Sequence, residues 1–238
     1  MRQSNLYIII YSGILTIVCG GLLALAAEGL KEKQQYNVDM EQKKNILSTV
    51  IELKDGDDIN AVYAKKVKAF VVDFEGNVKE GMQPKDVNLA VEYKKAPADR
   101  LLPVYEFKSE SDPNKTEYVA LPLFGYGLWN NIWGFVALKS DLNTIQGVKF
   151  QHAGETPGLG ARIESDQDVQ DRYKGKTIYE ADKLVSVTMM KGEGKDYSSN
   201  QHEVDGMSGA TLTAKGVNNM LKDYFTSYEN YLKKNKQQ

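Results

Sequence analysis

Residues 132–152 read IWGFVALKSDLNTIQGVKFQH and contain two β-prone runs separated by a short polar segment. The first run, Ile132–Lys139, is largely apolar, and the second extends from Thr144 to His152. Between them, Ser140-Asp141-Leu142-Asn143 favours a reversal of the chain, because Ser, Asp and Asn side chains can hydrogen-bond to nearby backbone. The stretch therefore predicts a β-hairpin, with its two strands antiparallel.

Outward from this hairpin, further strand-like runs occur at Val67–Phe74, Leu101–Phe107, Tyr118–Leu123 and Leu184–Met190. A turn at 75–77 follows the first of them, and the polar turn 109–116 joins the second to the third. The last segment of the chain carries apolar residues at helical spacing, namely Val217, Met220, Leu221, Phe225, Tyr228 and Leu232. Hairpins with helices at the ends predict an α+β fold, an antiparallel sheet with flanking helices.

Two more helices are expected. One begins at a cap residue, Asn37 or Asp39, and ends at the Asp/Gly-rich segment 55–58. Its apolar residues are Met40, Ile46, Leu47, Val50 and Ile51. A short helix is also expected within the polar stretch 161–174.

The N-terminal segment Leu6–Ala27 has 22 residues and no charge. As a helix it would be about 33 Å long, enough to cross a hydrocarbon core of about 30 Å. A cleaved signal peptide is the alternative, since Ala24-Leu25-Ala26 offers a cleavage pattern, but the apolar run is longer than such signals need. Arg2 before the segment favours an N-terminus inside, although Lys31 and Lys33 weaken the contrast. The expected organisation is a transmembrane anchor (1–27), a helical linker (28–58) and an extracytoplasmic domain (59–238).

Composition excludes several classes of site. The net charge is −2, so no basic surface for nucleic acid is expected. One cysteine, Cys19, excludes a disulfide, a CxxC pair and a cysteine-ligated iron–sulfur cluster within this chain. With only His152 and His202, no metal site is expected. The glycine pair Gly125 and Gly127 is followed by Asn130 instead of a third glycine, which argues against a dinucleotide fingerprint.

Residues 205–213, DGMSGATLT, place small residues and three hydroxyls just before the last predicted helix. The simplest interpretation is a tight loop in which Thr213 caps the helix from Ala214 on. A second interpretation is an anion site, because the free N–H groups and dipole of a helix N-terminus favour phosphate. Glycine and alanine would allow such a group to come close.

The same residues carry a family resemblance. Residues 205–211 match in full the motif D-G-x-[ST]-G-A-T that flavin transferase recognises, and E-T-P-G-L-G at 155–160 resembles the FMN-binding domain family. Three further segments are similar to the C subunit of the Na⁺-translocating NADH:quinone reductase: 125–129, 134–138 and 141–144. The resemblance covers nearly the whole chain, and it is loosest across residues 55–118.

This resemblance implies a cofactor, FMN, esterified through its phosphate to Thr211. It also implies that Glu155, Thr156 and Leu159 line the flavin, and that Asp205 and Gly206 are read by the transferase. The other cofactor-binding residues predicted are Ser208, Gly209, Ala210, Leu212, Thr213 and Trp129. From its residue type alone, Trp129 is more often a core or interface residue than a stacking partner. No acid–base catalytic residue is expected in an electron relay.

The resemblance further implies an electron-relay subunit that does not have the complete activity of the complex on its own. Its partners would be the FAD- and iron–sulfur-bearing subunit and the membrane B subunit of a complex that oxidises NADH, reduces quinone and exports Na⁺. Its location would be the bacterial inner membrane, with the domain on the periplasmic side. Two alternatives stay open: the flavin-bearing subunit of the related ferredoxin:NAD⁺ reductase complex, and a non-redox anchored binding module. The Gly-Leu-Trp and Asp-Leu-Asn-Thr segments favour the quinone reductase.

Overall fold

The computed structural model describes residues 4–109, 111–112 and 115–236. They form two compact units, which divide between Gln42 and Lys43. The charge argument from Arg2 and part of the polar turn 109–116 lie outside the described residues. The expected boundaries at 27/28 and 58/59 stay predictions.

The first long helix, α1, spans Asn5–Ser48 without interruption. Its N-terminal part contains an 18-residue window of mean hydropathy 2.3 with none of its residues buried, and it is the one candidate membrane span in the described part of the chain. The prediction that a separate helix begins at Asn37 or Asp39 is wrong, because both residues lie inside α1. The sequence between Glu28 and Gln42 has no proline and is rich in Glu, Lys and Gln, which continue a helix readily.

Five strands form one sheet in the order of the sequence: β1 Val67–Val72, β2 Leu102–Lys108, β3 Thr116–Tyr126, β4 Asn131–Lys139 and β5 Ile145–His152. Every neighbouring pair is antiparallel, which confirms the predicted fold class. The 132–152 hairpin is confirmed: Ile132 pairs with His152 at one end, and Leu138 pairs with Ile145 at the other. Its turn is fixed by Asp141, whose Oδ1 accepts the N–H groups of Asn143 (2.9 Å) and Thr144 (2.8 Å).

Both faces of the sheet are covered. A C-terminal helix, α6, spans Thr211–Lys236 and packs on the face that carries Leu121 and Leu123 of β3. On the opposite face, the end of α1 contributes Ile46 and Leu47. Each fully buried side chain of this size stabilises the fold by about 1.5–3 kcal/mol. The core between α6 and the sheet positions this helix, including its N-terminal end, relative to the strands.

Four short helices connect these elements: α2 Ile59–Lys66, α3 Leu89–Glu92, α4 Arg162–Ser165 and α5 Gln167–Asp171. The last two confirm the helix expected within 161–174. The sequence analysis missed α2, although Asp58 accepts the N–H of Ala61 as its N-cap. Short 3₁₀ turns lie at Pro84–Asp86 and Pro97–Asp99.

The single strand predicted at Leu184–Met190 is wrong. This part of the chain forms four two-residue strands: β6 Tyr179–Glu180, β7 Lys183–Leu184, β8 Thr188–Met189 and β9 Glu203–Val204. Only β8 and the last residue of β7 lie within 184–190. Ser186 has a φ of 67°, in the left-handed region, so an extended chain cannot continue through it. Strand β8 pairs with β9 in parallel, and Asn218 of α6 hydrogen-bonds to the backbone N–H and C=O of Met189. These contacts hold β8 and β9 beside α6, and they therefore position the segment that joins β9 to α6.

Candidate functional site

Three loops meet at the N-terminal end of α6. They are the β3–β4 turn 127–130, the segment 153–160 after β5, and the segment 205–210 after β9. The β3–β4 turn is closed by a hydrogen bond from the Gly127 N–H to the Asn130 carbonyl (2.8 Å). Most of the predicted site residues lie on these loops, so the fold gathers positions that are far apart in sequence.

The carboxylate of Glu155 lies at the meeting point, and the residue is 4% exposed. Its Oε1 accepts the N–H of Trp129 (2.9 Å), and its Oε2 accepts the Oγ1 hydroxyl of Thr213 (2.5 Å). A Cβ at Gly127 or at Gly160 would lie 2.5 or 2.6 Å from the carboxylate oxygens. Both glycines are therefore required by the close approach of this side chain.

Burial raises the pKa of Glu155, but hydrogen bonds from Thr213 and from the turn's backbone N–H groups outweigh it, so the pKa is lowered. The group therefore stays ionised at neutral pH. The carboxylate faces inward, between the turn and the helix. That Glu155 also lines the flavin stays a prediction.

Thr213 does not cap the last helix. Helix α6 begins at Thr211, two residues earlier than Thr213, and Thr213 lies in its first turn with 1% of its surface exposed. Its hydroxyl donates to Glu155 rather than accepting a backbone N–H. The prediction of a cap was wrong because a buried carboxylate, 58 residues away in sequence, is the stronger partner.

Asp205 and Gly206 shape residues 205–210, which are called the attachment loop after the cofactor attachment that their sequence motif predicts. The Asp205 carboxylate accepts the N–H groups of Gly194 (2.7 Å) and Lys195 (3.2 Å). A Cβ at Gly206 would lie 2.0 Å from the carbonyl oxygen of Met190, so only glycine fits. Recognition of these two residues by a transferase stays a prediction.

An ion-pair cluster that the sequence analysis missed holds the same loop. The N–H of Ser208 donates to Glu193 (2.9 Å), which also receives two hydrogen bonds from Arg162 (2.9 and 2.6 Å). Arg172 donates to the carbonyl of Gly206 (2.5 Å). Hydrogen bonds from Arg162 and from the Ser208 N–H lower the pKa of Glu193 to about 2, and those from Arg162 contribute more. No local pattern marks these residues, because their partners are 15 to 34 positions away.

The exposed part of the attachment loop leads directly to Thr211. Ser208, Gly209 and Thr211 are exposed, whereas Ala210 is buried. Gly209 has a φ of 71°, which favours glycine, and a Cβ on it would lie 2.7 Å from Cδ2 of Leu159. Leu159 therefore lies close to Gly209, two residues before the helix begins, and Thr211 is accessible to solvent.

Exposed apolar side chains are found on two of the three loops and in the first turn of α6. Leu159, Leu212 and Trp129 are 41%, 57% and 69% exposed. Tyr126 and Leu128, which the sequence analysis did not single out, are also exposed, at the end of β3 and on the β3–β4 turn.

The segment before Leu159 forms the turn that its sequence suggests. Thr156 is exposed, and its carbonyl accepts the N–H of Leu159 across Pro157-Gly158. Gly158 has a φ of 74°, as expected for a type II turn. The turn holds Leu159 at the edge of the attachment loop.

The residues present fit a phosphate ester with a large aromatic group. The first turn of α6 has no acidic residue, and a helix N-terminus favours an anion. Small neighbours leave the Thr211 hydroxyl open to a second molecule. The exposed leucines and Trp129 offer apolar surface of the kind that a planar ring system covers.

Comparisons with known proteins show which family this chain resembles. The FMN-binding domain family matches residues 127–226, a range that contains the three loops and the start of α6. The C subunit of the Na⁺-translocating NADH-quinone reductase from Haemophilus ducreyi is 34% identical, over 89% of this chain and 86% of its own length. The same subunit from Pseudomonas aeruginosa is 31% identical over 98% of both chains.

Two solved structures show the same fold. The C subunit from Parabacteroides distasonis superposes with a TM-score of 0.73 at 31% identity, covering 85% of this chain and 96% of that one. NqrC from Shewanella oneidensis gives 0.72 at 27% identity, covering 83% and 97%. The match extends over nearly the full length of these relatives, beyond the FMN-binding domain alone. The chain therefore belongs to the family formed by the C subunits of the Na⁺-translocating NADH-quinone reductase.

Proposed function

We propose that this protein is a membrane-anchored electron-relay subunit that carries FMN covalently on Thr211. The observation that carries the proposal is the position of Thr211: it is the exposed first residue of α6, it is preceded by Gly209 and Ala210, and the first turn that it begins contains no acidic residue of its own. When bound, FMN supplies reversible redox chemistry. The protein would supply the threonine hydroxyl for attachment and the apolar surface beside it.

Each group at the site has a distinct part in the proposal. The N-terminal N–H groups of α6 would stabilise the negative charge of a phosphodiester. Leu159, Leu212 and Trp129 would shield the ring system from water, since they are exposed apolar side chains on the loops and the helix at this site. Ser208 and Gly209 would keep access open for the flavin transferase. No proton transfer by a side chain is needed for this function.

The proposed partners and location are supported by the family to which the chain belongs. We propose that the chain accepts electrons from the FAD- and iron–sulfur-bearing subunit and passes them to the membrane B subunit, within a complex that exports Na⁺. One membrane helix cannot line an ion path, so this chain would not conduct Na⁺ itself. The proposed location is the inner membrane, with the domain on the periplasmic side.

Mass spectrometry of the tryptic peptide 196–215 tests the attachment. This peptide lies between the cleavage sites at Lys195 and Lys215 and contains Ser208, Thr211 and Thr213, so fragmentation can locate the adduct. The full chain is co-expressed with a flavin transferase. An FMN adduct on Thr211 is expected in the parent and in Ser208→Ala, and none in Thr211→Ala.

Flavin fluorescence of the denatured band on a gel gives an independent reading. An adduct that persists in Thr211→Ala, or that maps to Ser208 or Thr213, would refute the assignment. A parent band without flavin after co-expression would instead favour a non-redox binding module.

A further inference from the structure

We infer that Glu155 is a positioning residue: its buried carboxylate fixes the turn that carries Trp129 against the first turn of α6. The backbone of Trp129 is thereby held in place relative to the helix that begins at Thr211. The effect of Glu155 on a flavin rests on the proposed function. Its effect on the turn and the helix does not depend on that function. Glu155 would thereby act on the cofactor site through the turn and the helix that it joins.

The two oxygens of the carboxylate serve two different elements. Oε1 accepts the backbone N–H of Trp129, and Oε2 accepts the hydroxyl of Thr213. Trp129 lies between β3 and β4, and Thr213 lies two residues after the proposed attachment residue. One side chain therefore connects the most exposed aromatic residue of the site to the helix that would carry the cofactor.

The surroundings are shaped for this side chain. Gly127 and Gly160 lie on different loops, and a Cβ on either would enter the space of the carboxylate. Further along α6, a Cβ at Gly216 would lie 2.3 Å from the carbonyl oxygen of Tyr126. Close approach at three glycines leaves the turn and the helix little room to shift, provided that Glu155 stays in place.

An ionised carboxylate suits the role better than a neutral amide. It can accept both hydrogen bonds at once, and charge-assisted hydrogen bonds are roughly twice as strong as neutral ones. Glutamine could keep both contacts only if the Thr213 hydroxyl reversed and accepted. The expected order of restraint on Trp129 is therefore glutamate, then glutamine, then alanine.

Trp129 itself reports on the restraint. The chain has two tryptophans, so Trp133→Phe leaves Trp129 as the only one. In this background the full chain, produced without transferase and held in detergent, is studied by time-resolved fluorescence anisotropy. Glu155→Ala and Thr213→Val are expected to lose anisotropy on the nanosecond timescale, Glu155→Gln to lose less, and Thr213→Ser to match the parent.

A matched control separates positioning from general stability. Tyr228→Phe removes a buried hydrogen bond to the Pro103 carbonyl (2.6 Å), far along α6 from the site. It is expected to lower the unfolding midpoint and leave the anisotropy of Trp129 unchanged. Should Glu155→Ala not fold, Thr213→Val against Thr213→Ser decides the question. Parent-like anisotropy in Thr213→Val would overturn the inference.

The flavin-loaded protein gives the second reading. After co-expression with the transferase, Glu155→Ala or Thr213→Val is expected to keep the Thr211 adduct but to shift the midpoint potential, with Thr213→Ser restoring it. If the midpoint potential were unchanged in both Glu155→Ala and Thr213→Val, Glu155 would have no positioning role for the cofactor. Absence of any adduct in the parent would refute the proposed function instead, and the anisotropy result would stand.

Discussion

Among individual residues, Thr211 and Thr213 show how position on a helix separates chemically similar groups. Two steps along an α-helix rotate a side chain by about 200°. Thr211 consequently faces solvent while Thr213 is buried against Glu155. The hydroxyl available to an incoming molecule and the hydroxyl that holds the fold together are two residues apart.

Leu159 gives a prediction for a single side chain. It lies against Gly209 at the edge of the attachment loop and is 41% exposed. Leu159→Ala is expected to change the absorption spectrum or the midpoint potential of the flavin while the Thr211 adduct remains. Because the side chain is only partly buried, the loss of stability should stay below about 2 kcal/mol.

Spectroelectrochemical titration of the flavin-loaded chain measures the effect of this substitution. Val91→Ala, at an exposed position on α3, serves as a control that should leave the spectrum and potential unchanged. If Leu159→Ala behaved like this control, Leu159 would not belong to the flavin site.

Among the helices and strands, the close packing of α6 on the β3–β4 turn reverses an ordinary rule. Replacing glycine by alanine inside a helix usually gains about 1 kcal/mol. At Gly216, however, a Cβ would lie 2.3 Å from the Tyr126 carbonyl oxygen and 3.1 Å from Cα of Gly127. Gly216→Ala is therefore expected to destabilise the domain by about 1–3 kcal/mol, because overpacking forces the backbone to move.

Urea denaturation followed by circular dichroism measures this change. Asn219→Ala, at an exposed position of the same helix, provides the comparison and should be neutral or slightly stabilising. A stabilised Gly216→Ala variant would contradict the close approach of α6 to the turn.

For the protein as a whole, the prediction concerns which side of the membrane the domain occupies. The apolar part of α1 is long enough to span a bilayer, and Arg2 before it favours an N-terminus in the cytoplasm. Protease added to intact spheroplasts is therefore expected to degrade the domain. A cytoplasmic marker protein should survive in the same sample, and lysed spheroplasts give the reference for full digestion. Complete protection of the domain would reverse the proposed topology.

Features that depend on neighbouring residues could be predicted from the amino-acid sequence alone. The 132–152 hairpin, the antiparallel sheet and α6 follow from periodicity and turn chemistry, which act over a few positions. The apolar N-terminal segment follows from composition. The motif at 205–211 pointed to the FMN-binding family through its residue pattern, without any knowledge of the fold.

The use of the site residues, by contrast, depends on tertiary contacts. Glu155 turns inward and Thr213 is its partner, because burial of a carboxylate requires hydrogen bonds that distant segments supply. The strand expected at 184–190 is interrupted at Ser186, whose left-handed backbone conformation local β-propensity does not reveal. Glu193 and its two arginines come to the attachment loop from separate segments. Such contacts join residues many positions apart, and no short-range pattern encodes them.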